Sequence, residues 1–465
     1  MDRILFTAEK IAEILVGNWI GTPGKTISNI QIDSRKCGRG TLFIPLKGER
    51  TDGHLYLGDI CDSGTKLSLV DDNWYSENRK SVEKLVEERG MAFLPVGDTL
   101  SALQKLALYH MSLFPELVVV GITGSNGKTT TKEILGSILA ETYETVINEG
   151  NLNSDIGLPL SVFRIEEKHE IAVFEMGMNR IGEMDLLASI VKPDFAVITN
   201  IGTAHIGPLG SRDAIALAKK QIFSCFTGNE TAIIPSADSY CDFLQEDVQG
   251  KIVLYGRDSM PAVKLLSEFT IEGFDLEIDG NRCHFALPGE HNLSNVLSAV
   301  AVALEIGVKP KAIAGGIEKI KPVFGRGELI TGDISLLRDC YNANPDSMAE
   351  SLKMLDYWKS RSIAVLGDML ELGENSSEEH RLIGIKAADS SAEAIFLFGD
   401  EMEAAFESVK KSGFNGYSFW TSDFEYLKEA LVDFIQKDDL VLLKGSRGLA
   451  LERLTEFIVG HKYKN

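Results

Sequence analysis

Residues 121–133 read GITGSNGKTTTKE, three glycines followed by a lysine and a run of threonines. A loop whose backbone N–H groups converge at a helix N-terminus binds phosphate, because the unpaired amides and the helix dipole both favour negative charge. Gly124, Ser125, Asn126 and Gly127 are the candidate cradle, Lys128 can reach the outer phosphates, and Thr129 or Thr130 can hold Mg²⁺. The spacing departs from G-x-x-x-x-G-K-[ST], since the position that wants the first glycine is Ile122. An ordinary glycine-rich turn is the bland alternative. The apolar run Leu117-Val118-Val119-Val120 before the loop and the helical pattern over 129–140 after it favour the phosphate reading.

Three further groups have matching chemistry. Glu175 ends the apolar segment IAVFEMG, and His205 sits in the loop after the next apolar run, FAVITNIGTAHIGPLGS. Ligands of parallel α/β sheets lie beyond the carboxyl ends of the strands, so both side chains can face the cradle. A helix cap or surface charge for Glu175, and a satisfied turn histidine for His205, are the competing roles. In LPGEHNLSNVLSAVAVALEIGV, Asn292 and Asn295 share one helical face, where their amides can bond adenine edges or simply cap a core helix.

The elements that must position these groups follow from hydrophobic patterning. From about residue 115, apolar runs at 117–122, 171–176 and 195–199 alternate with helical stretches such as 129–140 and 211–226. Ile134, Leu135, Ile138 and Leu139 give the first of those helices one apolar face. Short buried strands alternating with amphipathic helices predict a parallel α/β sheet. Before it, residues 1–98 read as short strands and turns with one or two helices, and SALQKLALYHMSLF (101–114) reads as a helix leading into the central unit. A third α/β unit opens near KPVFGRGE, with apolar runs at 363–366, 395–398 and 440–443. The expected fold is α/β in three domains: residues 1–98, 99–322 and 323–465.

Bulk composition narrows the function. At 465 residues the chain exceeds one core, and 44% hydrophobic with 25% charged residues is ordinary for globular domains. A net charge of −21 argues against nucleic acid or an anionic membrane as partner, so cations that hold an anionic substrate must be local. Cys37, Cys61, Cys225, Cys241, Cys283 and Cys340 are scattered without CxxC spacing, as in a reducing compartment. The opening MDRILFTAEKIAEILVGNWI carries Asp2, Glu9, Lys10 and Glu13 and lacks the apolar core of a signal peptide. No run reaches the roughly 18 apolar residues of a membrane span. The expectation is a cytoplasmic, soluble protein.

TGSNGKTTTKE resembles the ATP loop of the Mur ligases, cytoplasmic amide-forming enzymes of peptidoglycan precursor synthesis, which share it with folylpolyglutamate synthases. DCYNANPDSM (339–348), AVLGDMLELG (364–373), LLKGSRG (442–448), GNLNSDIGLPL (150–160), FEMGMNRIGEM (174–184) and the N-terminal DSR…GTLFIPLKGERTDGH resemble the branch that adds D-alanyl-D-alanine. The resemblance covers essentially the whole chain, in order. It implies an ATP-dependent ligase whose partners are UDP-N-acetylmuramoyl-tripeptide and D-alanyl-D-alanine; a monomer is the expected state. It implies a first domain holding the uridine nucleotide through Ser34, Arg35, Lys47, Asp52, Gly53 and His54, with Asn151 and Asn153 also on the substrate side. It implies a Rossmann-like third domain closing over ATP with Arg326, Asp339, Tyr341, Asn342 and Asn344. Lys444 and Arg447 of KGSRG become candidates for the dipeptide carboxylate, Arg447 offering a planar fork. The competing role for Arg326 and Arg447 is as interdomain salt-bridge partners.

The resemblance further implies that Thr129, Glu175 and His205 bind Mg²⁺, and that Lys219 is carbamylated and serves a second ion, making Lys128, His205 and Lys219 the catalytic set. Lys220 is an adjacent competitor for that role. Gln221, Ser154, Arg338 and Ser236 depart from residues common among relatives. Another amide ligase of the superfamily, and a P-loop ATPase that forms no bond, are the rival functions.

Overall fold

Apolar β-rich runs flanked by glycine loops build the central sheet of the computed structural model, which describes residues 3–48 and 51–460. Asp2, and residues 49 and 50 within the Lys47–His54 run, lie outside the described residues, as do the outermost ends of the first and third expected domains. Six parallel strands stand in the spatial order Lys251–Tyr255, Thr231–Pro235, Phe195–Ile198, Val118–Thr123, Ile171–Glu175, Thr145–Ile147. Register places Ile122 opposite Glu175, and Thr123 opposite Ile198. Loops from three adjacent strands therefore leave the same edge of the sheet: the glycine loop, the turn after Glu175 and the loop holding His205. Both faces are covered, as an all-parallel sheet requires. Val120, Ile122, Val173 and Val197 pack into one layer, and Ala172, Phe174, Ala196 and Ile198 into the other.

The helix Lys128–Leu139 buries Ile134, Leu135, Ile138 and Leu139 as its spacing predicts. It packs beside the helix His291–Ile306, which carries Asn292 and Asn295. An antiparallel meander, Val263–Leu265, Phe274–Ile278 and Asn281–Phe285, extends the central unit. The helical reading of 101–114 corresponds to Thr99–Ser112, capped by Asp98, whose side chain accepts from the Ser101 N–H at 2.6 Å. This helix packs against Gly157–Val162 and Glu183–Val191, so one apolar layer runs from the first unit into the central one.

The first unit is itself a parallel sheet, Asn29–Gln31, Thr41–Phe43, Leu67–Asp71 and Ala92–Val96 in that order, with an 18-residue helix Asp72–Arg89. In the C-terminal unit Glu328–Ile330 runs antiparallel at the edge of five parallel strands. These follow in the order Ser335–Arg338, Leu440–Lys444, Ser362–Gly367, Ala394–Phe398, Tyr417–Thr421. The runs expected at 363–366, 395–398 and 440–443 are three of these strands.

Candidate active site

A cleft of about 1000 Å³ opens between the central and C-terminal units, lined on one side by Ser125–Thr130 and on the other by Arg326, Asp339, Tyr341, Asn342 and Asn344. Its floor is the glycine loop. Gly124 (φ +149°) and Gly127 (φ +80°) occupy backbone conformations that side chains rarely adopt. A Cβ on Gly124 would stand 1.8 Å from Thr199 Oγ1, and one on Gly127 would stand 2.1 Å from Asn295 Oδ1. The glycines are therefore required by close approach as well as by φ. Asn200 pins the loop between them, accepting from the Ser125 N–H through its carbonyl and from the Asn126 N–H through Oδ1, both at 3.0 Å. Asn295 donates to Asn292 Oδ1 at 2.9 Å, and Asn292 donates to the Pro288 carbonyl at 2.7 Å. The asparagine pair thus lines the cleft and braces its helix start.

Two lysines converge on this loop. Lys128 Nζ donates to the carbonyls of Gly124 at 2.8 Å and Ser125 at 3.3 Å. Lys219, at the end of the helix Arg212–Lys220, is 1% exposed and donates to the same Gly124 carbonyl at 3.0 Å. Burial, and after it the charge of Lys128, pushes the Lys219 ammonium well below the usual lysine range. Burial likewise lowers Lys128, against the opposing pull of Glu175. Lys220 turns the other way, donating to the Phe243 carbonyl at 2.7 Å and lying over the Phe243 ring.

Glu175 is 2% exposed at the end of its strand. Its carboxylate accepts from Thr129 Oγ1 and from Asn153 Nδ2, both at 2.7 Å. Thr130 and Asn151 line the same cleft. His205 (φ +64°) lines it too, with Nδ1 3.0 Å from Glu371 Oε2 of the C-terminal unit. The neighbouring His205 ring holds the Glu371 carboxyl below the usual carboxylate range. Glu371 was not singled out from sequence, although it lies in the LGDMLELG run; its carbonyl also accepts from the Gly207 N–H at 3.2 Å.

Two further contacts cross between the units. Asp346 Oδ2 accepts from the Thr203 N–H at 2.8 Å and from Thr203 Oγ1 at 2.9 Å. Asn344 Nδ2 donates to Asn126 Oδ1 of the glycine loop at 2.7 Å, while its Oδ1 accepts from the Ser347 N–H at 2.9 Å and caps the helix Pro345–Lys353. One side chain thus caps a helix and grips the loop. Asn344→Asp is expected to melt close to the parent, because aspartate caps as well as asparagine. Its kcat/KM for ATP is expected to fall about tenfold, as the donor to Asn126 is lost. Asn344→Ala should lose about 1 kcal/mol of stability besides. Thermal melts beside steady-state kinetics check this, and an aspartate variant with parental kcat/KM would contradict it.

The other sequence candidates fall less uniformly. Arg326 lies in the cleft wall with its guanidinium 4.1 Å from the Tyr341 ring centroid. Lys444 reaches the cleft but is ion-paired to Asp339 at 2.9 Å. Arg447 does not line the cleft; it pairs with Glu452 at 2.8 Å and is more than half exposed. Ser34, Arg35, Lys47 and Asp52 stand beyond the carboxyl ends of the first-unit strands, where Asp33 holds Arg35 through two bonds at 2.9 and 2.8 Å. His54 is buried there, its ring bridging Asp52 Oδ1 at 2.6 Å and the Asp71 N–H at 3.0 Å, stacked on Trp74. Its role in this structure is to tie that loop down, with Gly53 pressed against Pro45 and Leu46.

Three family models match in order: "Mur ligase family, catalytic domain" over residues 26–110, "Mur ligase middle domain" over 122–303, and "Mur ligase, glutamate ligase domain" over 325–447. The chain is 39% identical over 426 residues to the UDP-N-acetylmuramoyl-tripeptide–D-alanyl-D-alanine ligase of Treponema pallidum, covering 91% of this chain and 92% of that one. A crystal structure of MurF from Acinetobacter baumannii is similar with TM-score 0.86 and 32% identity, covering 98% of this chain and 99% of that one. The MurF ligase of Thermotoga maritima in complex with ADP gives TM-score 0.78 and 27% identity, covering 93% and 97%.

Proposed function

Because the chain belongs to the Mur ligase family, we propose that it joins D-alanyl-D-alanine to UDP-N-acetylmuramoyl-tripeptide, converting ATP to ADP and phosphate. The observation that carries this over a simple P-loop ATPase is Lys219, a buried amine held on the glycine loop beside Lys128. Hydrolysis alone gives such an amine no evident task.

The reaction has two bond exchanges. A carboxylate oxygen of the tripeptide attacks the γ-phosphorus, the β–γ bridging P–O bond breaks, and ADP leaves. The dipeptide amine then attacks the acyl carbon of the resulting acyl phosphate, forming a tetrahedral intermediate that loses the amine's proton to solvent, breaks the acyl C–O bond to expel phosphate and leaves the amide. The loop amides and Lys128 bind and neutralise the phosphates, and Arg326 adds a guanidinium from the opposite wall. Asn292 and Asn295 we assign to the adenine, and Asp339, Asn342 and Asn344 to the C-terminal wall over the nucleotide, since all five line the cleft. Asn151 and Asn153 face the tripeptide, Ser34, Arg35, Lys47 and Asp52 the uridine nucleotide, and Lys444 the dipeptide.

The residues fit Mg²⁺. Thr129 and Glu175 offer two hard oxygens 2.7 Å apart at the cradle, and His205 lies in the same cleft. Bound there, Mg²⁺ would supply neutralisation of the phosphoryl oxygens. Lys219 we assign as the carbamylated residue: its amine attacks CO₂, the N–C bond forms and one proton leaves. That requires the unprotonated amine, which burial and Lys128 both favour. The carbamate oxygens would suit a second ion. Glu175→Gln and His205→Ala are each expected to raise the Mg²⁺ concentration for half-maximal rate about tenfold. Mg²⁺ titrations that overlay the parent for both would move the metal elsewhere.

We assign the reaction to the cytoplasm, a reducing compartment that scattered free cysteines suit. Among the described residues no helix is long and apolar enough to cross a membrane, and the six cysteines are free. We take the enzyme to act as a monomer, since every residue assigned above lies on one chain. The deciding experiment is a coupled assay of phosphate release with purified protein. Release should require both the UDP-sugar tripeptide and the dipeptide; release from ATP alone at the same rate would leave an ATPase.

A further inference from the structure

The strand Thr145–Ile147 pairs with Ile171–Val173 and stops, its last partners being Ile147 and Val173. Glu175, two residues further on, therefore has no strand on that side to satisfy its backbone. Asn148, 0% exposed, fills the gap with its side chain. Its Oδ1 accepts from the Glu175 N–H at 2.9 Å, and its Nδ2 donates to the carbonyls of Glu175 at 3.1 Å and Leu152 at 2.9 Å. A side-chain amide thus does the work of the missing peptide group, and it ties in the turn that carries Asn153. Behind it stands Lys132, also 0% exposed, whose Nζ donates to the Asn148 carbonyl at 2.6 Å and lies 3.0 Å from Glu133 Oε1.

Lys132 and Thr129 lie three residues apart on one helix, so they share a face. Thr129 bonds the Glu175 carboxylate directly, and Lys132 braces the residue that holds the Glu175 backbone. Asn153, anchored through Leu152, supplies the remaining bond to Oε1. We infer that Asn148, braced by Lys132, is a positioning residue that fixes the Glu175 carboxylate against Thr129. Buried polar groups of this kind are costly to leave unsatisfied, so a set in which every member is bonded holds one geometry. This rests on the reading of Glu175 as the metal-side carboxylate.

The test compares calorimetric binding of ADP with Mg²⁺ and in EDTA, beside kinetics and melts. Asn148→Asp is nearly isosteric and keeps the acceptor for the Glu175 N–H, but offers no N–H to the Glu175 and Leu152 carbonyls. It is expected to lose roughly tenfold in affinity for Mg·ADP while ADP in EDTA binds as in the parent. KM for the dipeptide should not move. Lys132→Met keeps the buried stem and should shift the same ratio in the same direction, by less. A purely structural part for Asn148 would lower the melting temperature and the active fraction with the ratio unchanged, and that outcome in Asn148→Asp overturns the inference. Glu175→Gln separates the two levels. If it shifts the ratio and Asn148→Asp does not, the positioning assignment alone falls. If Glu175→Gln itself leaves the ratio unchanged, the reading of Glu175 falls and takes the inference with it.

Discussion

Lys219→Ala is expected to lose roughly 10²–10³-fold in kcat, the scale of removing one preorganised electrostatic group from a transition state. A short-chain carboxylic acid in the buffer should restore part of the loss. The Lys219 side chain is buried and ends at the Gly124 carbonyl, so truncation leaves room beside the glycine loop. A small carboxylate entering that space brings the two oxygens that a carbamate would place there, next to the Lys128 cation. Lys220→Ala should stay active, since its amine is spent on the Phe243 carbonyl. In protein equilibrated with ¹³CO₂, a carbamate carbon resonance should appear in the parent and in Lys220→Ala and vanish in Lys219→Ala. Full activity in Lys219→Ala, or acid rescue seen only for Lys220→Ala, defeats the assignment while leaving the ligase reading standing.

How far the chain could be read without coordinates depends on whether a signal is local. The phosphate cradle was legible because strand, glycines and helix are contiguous, so Gly124, Gly127 and Lys128 fall within five consecutive residues from the end of the strand to the start of the helix. Glu175 was legible because a carboxylate just past a buried strand has one edge of the sheet to face. The choice between Lys219 and Lys220 was not. Neighbours on a helix point about 100° apart, and only the packing decides that the first goes to Gly124 and the second to Phe243. His205 shows the same limit, because its partner Glu371 lies in another unit of the fold. Arg447 sits in a motif whose strand end, Lys444, enters the cleft, while the following turn carries the arginine out to Glu452. The meander over 263–285 escaped because its strands bury only alternate residues, such as Phe274, Leu276 and Ile278, and offer no long apolar run. Asn148 carried a weak local signal, an asparagine directly after a strand, which ordinarily means a turn and nothing more.

Lys128→Ala is expected to cost about 10³-fold in turnover and to weaken ADP binding, with an unchanged cooperative melt. The fold should survive because the side chain is only half-buried and its amine bonds the loop's own carbonyls, not the core. The chemistry should not survive, because no other lysine on the loop can turn from those carbonyls toward a phosphate. The effect has a second part. The positive charge of Lys128 helps to hold the Lys219 ammonium below its ordinary range, so removing it raises that pKa and shrinks the fraction of free amine. Lys219 should then carry less carbamate at a given pH, and the ¹³C resonance should weaken in Lys128→Ala. Added carboxylic acid should nevertheless fail to rescue this variant, since it replaces carbamate oxygens and not the cation at the phosphates. Lys128→Arg keeps the charge but carries a longer, planar head, and is expected to fall between the two. Turnover, ADP calorimetry, melting and the carbamate signal are to be measured on the same preparations. Near-normal turnover in Lys128→Ala with unaltered nucleotide affinity would remove the glycine loop as the phosphate site.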